Sequence, residues 1–137
     1  MSSDLVMLLV EDDDVDREIF ARFCKEFKLC NTIIVAESGD DALARLAAQP
    51  ELNATNLLPI VDLDMPSMNG FELLEALRAE ARFSDIPAIV LTTSDNDQDV
   101  LDAHAHAVAS YLVKPISFGK LFLAFAGLGL EVNVSRP

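Results

Sequence analysis

Five short apolar runs recur along the chain, each separated from the next by an amphipathic segment, and this alternation restricts the fold more than any other feature. The runs are almost continuously hydrophobic, which is typical of parallel strands covered on both faces. They occupy residues 5–10, 32–36, 57–61, 88–91 and 110–113. Five such runs therefore predict a buried parallel sheet.

The segments between the runs have helical periodicity. In the first, the apolar residues are predicted to form one stripe: Val15, Ile19, Phe20, Phe23 and Phe27. Asp13 or Asp14 is placed to cap this helix, and acidic residues suit its positive end. The other helices are predicted near 40–48, 70–81, 97–107 and 118–128. Strict alternation of strand and helix predicts an α/β fold, a doubly wound five-stranded parallel sheet with five helices and right-handed crossovers.

The bulk composition indicates one domain and excludes some partners. The 137 residues are 51% hydrophobic, so we expect a single domain over 1–137, with its core at about 5–128 and a C-terminal tail at 129–137. A formal charge of −13 argues against nucleic acid and anionic membranes as partners. Cys24 and Cys30 suggest no disulfide framework, and the acidic amino terminus does not resemble a signal peptide. The composition thus predicts a cytoplasmic protein without a membrane span.

Polar side chains follow four of the predicted strands where each strand ends. Glu11 and Asp12 follow the first strand, Asp62 the third, Thr92 the fourth and Lys114 the fifth. In a doubly wound sheet these ends converge on one edge, beside the point where the strand order reverses. Clustered carboxylates repel one another, and Mg²⁺ resolves this while leaving a position for a phosphate oxygen. A lysine and a hydroxyl beside them suit phosphoryl transfer to an aspartate.

Four motifs carry a family resemblance: LLVEDD, VDLDMPSMNG, IPAIVLTTS and SYLVKP. In this order and spacing they resemble the receiver domain of two-component response regulators, over about residues 5–125. The resemblance implies a CheY-like, flavodoxin-like fold with strand order 2-1-3-4-5. The tracts VLTTSDNDQDV and SYLVKPISFGKL are most similar to small single-domain regulators of phytochrome-type and hybrid histidine kinases.

The same resemblance implies roles at the metal site. Asp62 becomes the phosphoacceptor, and Asp12 and Asp62 become side-chain ligands of Mg²⁺. Asp64 is expected to add its main-chain carbonyl and to point its side chain toward the rim, while Glu11 acts through water. Asp13, Asp14 and Asp16 are interpreted as a solvated helix start.

A second set of roles concerns the switch. Thr92 is implied to be the switch hydroxyl, Tyr111 the switch aromatic and Lys114 the lysine that contacts phosphate, and Pro115 is expected to follow a cis bond. Three departures from the family pattern accompany them, and the first is Asp64, which is acidic where many relatives have asparagine or a hydrophobic residue. Pro59 removes an N–H inside a central strand, which predicts an irregular or late start. Ala107 stands where receivers usually have glycine, leaving the loop shape open. His104 and His106 are interpreted as surface or packing residues.

The sequence therefore predicts a response regulator that takes a phosphoryl group from a histidine kinase or histidine phosphotransfer protein. Two alternatives stay open: a haloacid dehalogenase-type phosphatase, whose D-x-D pair however ends the first strand, and a pseudo-receiver adaptor that is not phosphorylated. From Ile116 to Leu130 the only charged residue is Lys120. This apolar helix and the tail after it predict a homodimer or a kinase-docking site.

Overall fold

The computed structural model describes residues 5–27, 32–65, 68–93 and 96–128. The strands are β1 (Val6–Val10), β2 (Thr32–Ala36), β3 (Leu57–Asp62), β4 (Ile89–Thr92) and β5 (Ser110–Val113). The helices are α1 (Asp14–Phe27), α2 (Gly39–Ala47), α3 (Gly70–Arg78), α4 (Asp97–Ala105) and α5 (Phe118–Gly127). A 3₁₀ turn at Ala81–Phe83 follows α3.

The strands form one parallel sheet in the order β2-β1-β3-β4-β5, which confirms the predicted fold class and strand order. From β1 the chain first crosses to β2 on one side and then to β3 on the other. The order therefore reverses between β1 and β3, and a ligand site is expected beyond the carboxyl ends of those two strands.

The sheet separates two apolar layers. Leu8 and Val10 of β1 pack with α2 and α3, whereas Met7 and Leu9 pack with α1 and α5. This division follows from the alternation of side chains along a strand. The second layer also contains Phe23, whose ring meets those of Phe118 and Phe125 edge-on, as aromatic pairs prefer. Burial on both faces explains why the strands read as continuous hydrophobic runs.

The buried side of α1 differs from the predicted stripe. Phe20 and Phe23 are fully buried as expected, but Val15 is 62% exposed and Asp16 is buried in its place. The prediction that Val15 faces the core was therefore wrong, because the buried face of α1 begins one residue later, at Asp16. Asp16 lies four residues before Phe20, which places both on one helical face. The side chain of Phe27, the last residue of that stripe, lies outside the described residues.

Pro59 causes no irregularity in β3, so the expectation of a late or broken strand was wrong. Pro59 pairs with Leu8 of β1, and β3 runs without interruption. The N–H of Leu63 donates to the carbonyl of Leu91 in β4 at 2.8 Å. Because successive N–H groups alternate in direction, the nitrogen of Pro59 also faces the β4 side. Pairing with β4 begins only at Ile60, so the ladder loses no bond there.

Ala107 adopts the left-handed conformation that glycine usually supplies, with φ of 50°. The turn after α4 is a Schellman motif. In it the N–H of Ala107 donates to the carbonyl of His104 at 3.0 Å, and that of Val108 to Ala103 at 3.3 Å. The loop keeps the glycine-type backbone geometry because these two bonds hold it, at the cost of backbone strain at an alanine.

Gly70 allows α3 to begin directly against the end of β3. A Cβ atom at this position would lie 2.9 Å from the carbonyl oxygen of Asp62 and 3.0 Å from Cγ1 of Val61. The neighbouring atom is backbone, so it cannot rotate away. The missing side chain thus fixes how closely the helix approaches the residue that ends β3.

We expect Gly70→Ala to lower the free energy of unfolding by about 1–3 kcal/mol, because the added methyl forces the helix or the strand end to move. Gly127→Ala is the matched control, since a Cβ there has no neighbour within 4 Å. This control should be neutral or stabilising by up to about 1 kcal/mol. Denaturant unfolding of the two variants checks the difference, and equal effects would contradict the close approach.

His106, which caps the carboxyl end of α4, joins that end to α3. Its ring stacks on Phe71 at 4.6 Å between centroids. Its Nδ1 lies 2.7 Å from the carbonyl oxygen of Asp102, and its Nε2 lies 2.8 Å from Oε2 of Glu75. Both partners are acceptors, and only the protonated ring donates from both nitrogens. His106 is therefore a packing residue, as predicted. In addition, only its protonated ring can donate hydrogen bonds to both Asp102 and Glu75.

The pKa of His106 reflects these contacts. Burial acts to lower it, but the bonds to Asp102 and Glu75 raise it above its ordinary value. The stabilisation is then complete below the unfolded-state pKa of about 6.5 and is lost as pH rises through the higher folded-state pKa. Protonation of His106 therefore strengthens the contact between α3 and α4.

We expect the free energy of unfolding to fall as pH rises above about 6.5, and His106→Gln to remove that part of the slope. His104→Gln is the control, because His104 is the chain's other histidine and is exposed. Denaturant titrations across pH check this. An unchanged slope in the His106 variant, or an equal loss in the control, would contradict it.

The most apolar helix, α5, keeps part of its apolar surface exposed. Leu123 is 72% exposed and Phe122 is 37% exposed, while Leu121 and Phe125 are buried in the core. Across the described ranges, no helix has both the length and the apolar character that crossing a bilayer requires.

Candidate functional site

Three carboxylates meet at the carboxyl edge of the sheet, where β1 and β3 end. Glu11 is 0% exposed and Asp62 is 2% exposed, whereas Asp12 lies at the surface. Each offers one oxygen, and these oxygens lie within 4.8 Å of one another. The topology therefore brings together the acidic residues that the strand ends predict, with one of them open to solvent.

Lys114, at the end of β5, supplies the opposite charge. Its Nζ contacts three carboxylates: it lies 2.8 Å from Oε1 of Glu11, 2.9 Å from Oδ2 of Asp16 and 3.2 Å from Oδ2 of Asp62. Little of the lysine is exposed, so these pairings are only weakly screened by solvent. Removing any one partner would leave charge uncompensated in a buried place.

Asp16 is the contact that the sequence reasoning missed. It was interpreted as part of a solvated helix start, and this holds for Asp13 and Asp14, which are exposed. Asp16 instead is buried and bonded to Lys114. The signal was present in its helical spacing to Phe20, which puts it on the core side of α1.

Glu11 is held by contacts to both oxygens of its carboxylate. Besides Lys114, its carboxylate accepts the N–H of Asp13 at 3.2 Å. Burial raises the pKa of Glu11, and a hydrogen bond to Asp62 raises it further, while Lys114 acts in the opposite direction. Burial likewise acts to lower the pKa of Lys114, but the bonds to Glu11 and Asp16 raise it overall. The lysine is thus firmly charged, and the glutamate is costly to ionise without a further cation.

This donor set suits a hard divalent cation. Carboxylate oxygens are the ligands that Mg²⁺ prefers, and it commonly takes one or two of them and keeps several waters. A bound cation would offset the mutual repulsion that burial imposes on Glu11 and Asp62. Asp12, at the surface, leaves the cluster open toward solvent. The residues present therefore fit Mg²⁺, while the main-chain carbonyl of Asp64 as a further ligand stays a prediction.

Asp62 is oriented by bonds to both of its carboxylate oxygens. Oδ1 accepts the N–H of Asp64 at 3.0 Å, and Oδ2 accepts from Lys114 at 3.2 Å. One main-chain donor and one cation thus hold the carboxylate in a single orientation within the cluster. A carboxylate held in one orientation is suited to act as a nucleophile.

Asp64 lies at the rim, but its carboxylate has a specific target. Oδ2 accepts the Thr92 hydroxyl at 3.2 Å, the Thr93 N–H at 3.0 Å and the Thr93 hydroxyl at 3.2 Å. It thereby links the end of β3 to the end of β4. Neither Thr93 nor this link follows from sequence spacing, because the residues lie far apart in the chain.

The remaining predicted residues lie on β4, on β5 and directly after β5. Thr92 is buried at the end of β4, and Tyr111 of β5 is half-buried opposite Val90. Since Leu112 packs in the layer of α1 and α5, Tyr111 faces the other side of the sheet. The peptide bond between Lys114 and Pro115 is cis.

Residues 7–126 match the family model of the response regulator receiver domain. The match spans most of the chain, so the protein belongs to the response regulator receiver family. Among curated relatives, chemotaxis protein CheY1 of Helicobacter pylori is 32% identical over 111 residues, which is 81% of this chain and 86% of that protein. Family membership favours a receiver over the phosphatase alternative, in agreement with the position of the D-x-D pair on β3.

Another curated relative is response regulator Rcp1 of Synechocystis, which is 32% identical over 126 residues. These residues make up 90% of this chain and 85% of that protein. A crystal structure of the Mn(2+)-bound form of Rcp1 matches with a TM-score of 0.73 and 30% identity, covering 96% of this chain and 99% of that one. The bacteriophytochrome response regulator RtBRR matches with a TM-score of 0.79 and 31% identity, covering 97% and 82%. Phytochrome response regulators are thus among the structural neighbours.

Proposed function

We propose that this receiver takes a phosphoryl group from the phosphohistidine of a histidine kinase or phosphotransfer protein onto Asp62. The observation that carries the proposal is the position of the Asp62 carboxylate. The carboxylate belongs to the acidic cluster with Glu11 and Asp12, and its Oδ2 lies 3.2 Å from the ammonium of Lys114. A nucleophile that adjoins both a candidate cation site and a fixed cation is what phosphoryl transfer requires.

The transfer step is an in-line displacement. An oxygen of Asp62 forms a bond to phosphorus as the phosphorus–nitrogen bond of the donor breaks, and the imidazole nitrogen leaves with the electron pair. Lys114 and Thr92 contact phosphoryl oxygens through an ammonium and a hydroxyl, respectively. The acyl phosphate later returns to a carboxylate and phosphate when water attacks phosphorus, a slow step that the protein carries out alone.

The proposed cofactor is Mg²⁺, which supplies neutralisation of phosphoryl charge when it is bound. Asp12, Asp62 and the carbonyl of Asp64 are its proposed ligands, with Glu11 acting through water. Two observations support this: the fit of the donor set, and the Mn(2+)-bound form of the relative Rcp1.

Phosphorylation is proposed to shift an existing equilibrium toward an active arrangement. In it Thr92 and Tyr111 move toward the phosphoryl group and remodel the face formed by α4, β5 and α5. The output is then a protein contact or relay of the phosphoryl group. Tyr111 is the chain's single tyrosine and tryptophan is absent, so tyrosine fluorescence reports on the surroundings of this one residue.

We expect native protein with Mg²⁺ and a small phosphodonor to gain the mass of one phosphoryl group, and Asp62→Asn to gain none, since an amide cannot form the acyl phosphate. Asp99→Asn is the charge-matched control and should be phosphorylated like native protein. Intact-mass spectrometry with and without chelator checks this. Native protein that stays unmodified would support the adaptor alternative, and steady turnover of phosphomonoesters would support the phosphatase.

The proposed partners are the kinase or phosphotransfer protein and a second copy of the chain. Phe122 and Leu123 form an exposed apolar area on α5, outside the face of the helix that packs in the core. The tail at 129–137, predicted to take part in the dimer, lies outside the described residues.

A cytoplasmic location is proposed with these partners. The thiol of Cys24 is buried and lies 3.6 Å from the sulfur of Met7, which suits a reducing compartment.

We expect sedimentation to show a concentration-dependent dimer that Leu123→Glu abolishes, because the substitution places a charge in the apolar contact. Val15→Glu is the control, since Val15 is a similarly exposed apolar residue on α1. Native protein that remains a monomer at high concentration, with and without phosphodonor, would refute the dimer.

A further inference from the structure

The proposed function assigns the Thr92 hydroxyl to the phosphoryl group, but the carboxylate of Asp64 already accepts a hydrogen bond from it. Oδ2 of Asp64 receives three hydrogen bonds, from the Thr92 hydroxyl, the Thr93 N–H and the Thr93 hydroxyl, at 3.2, 3.0 and 3.2 Å. One anionic oxygen holding three donors is a strong contact, because bonds to a charged acceptor are stronger than neutral ones. The contact connects the end of β3 to the end of β4.

Asp64 is also tied to the acceptor itself. Its N–H donates to Oδ1 of Asp62 at 3.0 Å. A change at the Asp62 carboxylate therefore acts directly on the backbone of Asp64. Thr92 is buried and cannot move far without rearranging the end of β4. A phosphoryl group on Asp62 and the Asp64 carboxylate would therefore bring two negative charges to the same hydroxyl.

We propose that Asp64 is an internal anion that holds Thr92 and Thr93 in the unmodified chain and competes with the phosphoryl group for these donors. The proposal rests on Asp62 being the phosphoacceptor. Phosphorylation then exchanges one anion for another at Thr92, and Asp64 must give up its bonds before the switch completes. The carboxylate thus stabilises the unmodified arrangement and raises the amount of phosphodonor needed to leave it.

The competing explanation is that Asp64 only shapes the loop after β4. A carboxylate that preorganises Thr92 would assist phosphoryl binding, so that its removal would weaken binding. Competition predicts the reverse sign. The sign of the change in phosphoryl affinity on removal of Asp64 therefore distinguishes competition with the phosphoryl group from a purely structural role.

The test uses beryllofluoride, a phosphoryl analogue, at saturating Mg²⁺, with Tyr111 fluorescence as the readout of binding. The full chain is compared with Asp64→Ala, which removes the acceptor, and with Asp64→Asn, which keeps the shape and loses the charge. Asp99→Asn is the matched control, because Asp99 lines the same surface cavity of about 170 Å³ as Asp64. The exchange rate of the Thr93 amide, measured without beryllofluoride, reports the contact independently of binding.

We expect Asp64→Ala to bind beryllofluoride about tenfold more tightly than native protein and Asp64→Asn about threefold more tightly, since each loses part of a charge-assisted contact. Asp99→Asn should stay within about twofold, because removal of a nearby charge alone has a small effect. The Thr93 amide should exchange faster in Asp64→Ala. The isosteric Asp64→Asn carries the test if the alanine variant is unfolded.

Affinity that is unchanged or weaker in both Asp64 variants overturns this proposal and leaves the proposed function standing, since native protein still binds. Equal tightening in Asp99→Asn also overturns it, because the effect would then be one of general charge. If neither native protein nor any variant binds beryllofluoride, the proposed function and the competition both fail. Binding by the Asp64 variants but not by native protein would support the competition in its strongest form.

Discussion

The ion pairs of Lys114 are the interaction on which the functional edge of this protein depends. One ammonium group, directly after β5, contacts Glu11 after β1, Asp16 of α1 and Asp62 of β3. Charges buried at this depth are tolerated only when they are paired, so these elements hold one another in register. The carboxylates outnumber the ammonium, and the residual negative charge makes the edge receptive to a divalent cation. Structural cohesion and chemical readiness therefore arise from the same set of groups.

The topology explains why these groups meet at all. Parallel strands present all their carboxyl ends at one edge, and the reversal of order between β1 and β3 opens a gap there. Gly70 then lets α3 begin directly against the carbonyl of Asp62, which fixes the approach of the helix to the end of β3. A site of this kind needs few dedicated contacts, because the sheet supplies most of the positioning.

Much of this arrangement could be predicted from sequence, and the failures have definite physical causes. Asp62 and Lys114 were found because each directly follows an apolar run that could only be a buried strand. Asp16 was missed because an acidic run resembles a solvated helix start, although its spacing to Phe20 indicated the core side. Pro59 was flagged by a rule about strand interiors, yet its effect depends on where the neighbouring ladder begins. That information comes only from the assembled sheet.

The groups that a phosphoryl oxygen would contact are already bonded within the chain. Lys114 is shared among three carboxylates, and the hydroxyl of Thr92 is bonded to Asp64. Under the proposed function, phosphorylation would exchange partners rather than add contacts. The free energy available to move the switch is the difference between the old and the new bonds, which is smaller than either set. A ligand shifts an equilibrium only by its differential affinity for the two states, so a switch driven by such a difference would respond to changes in either set of bonds.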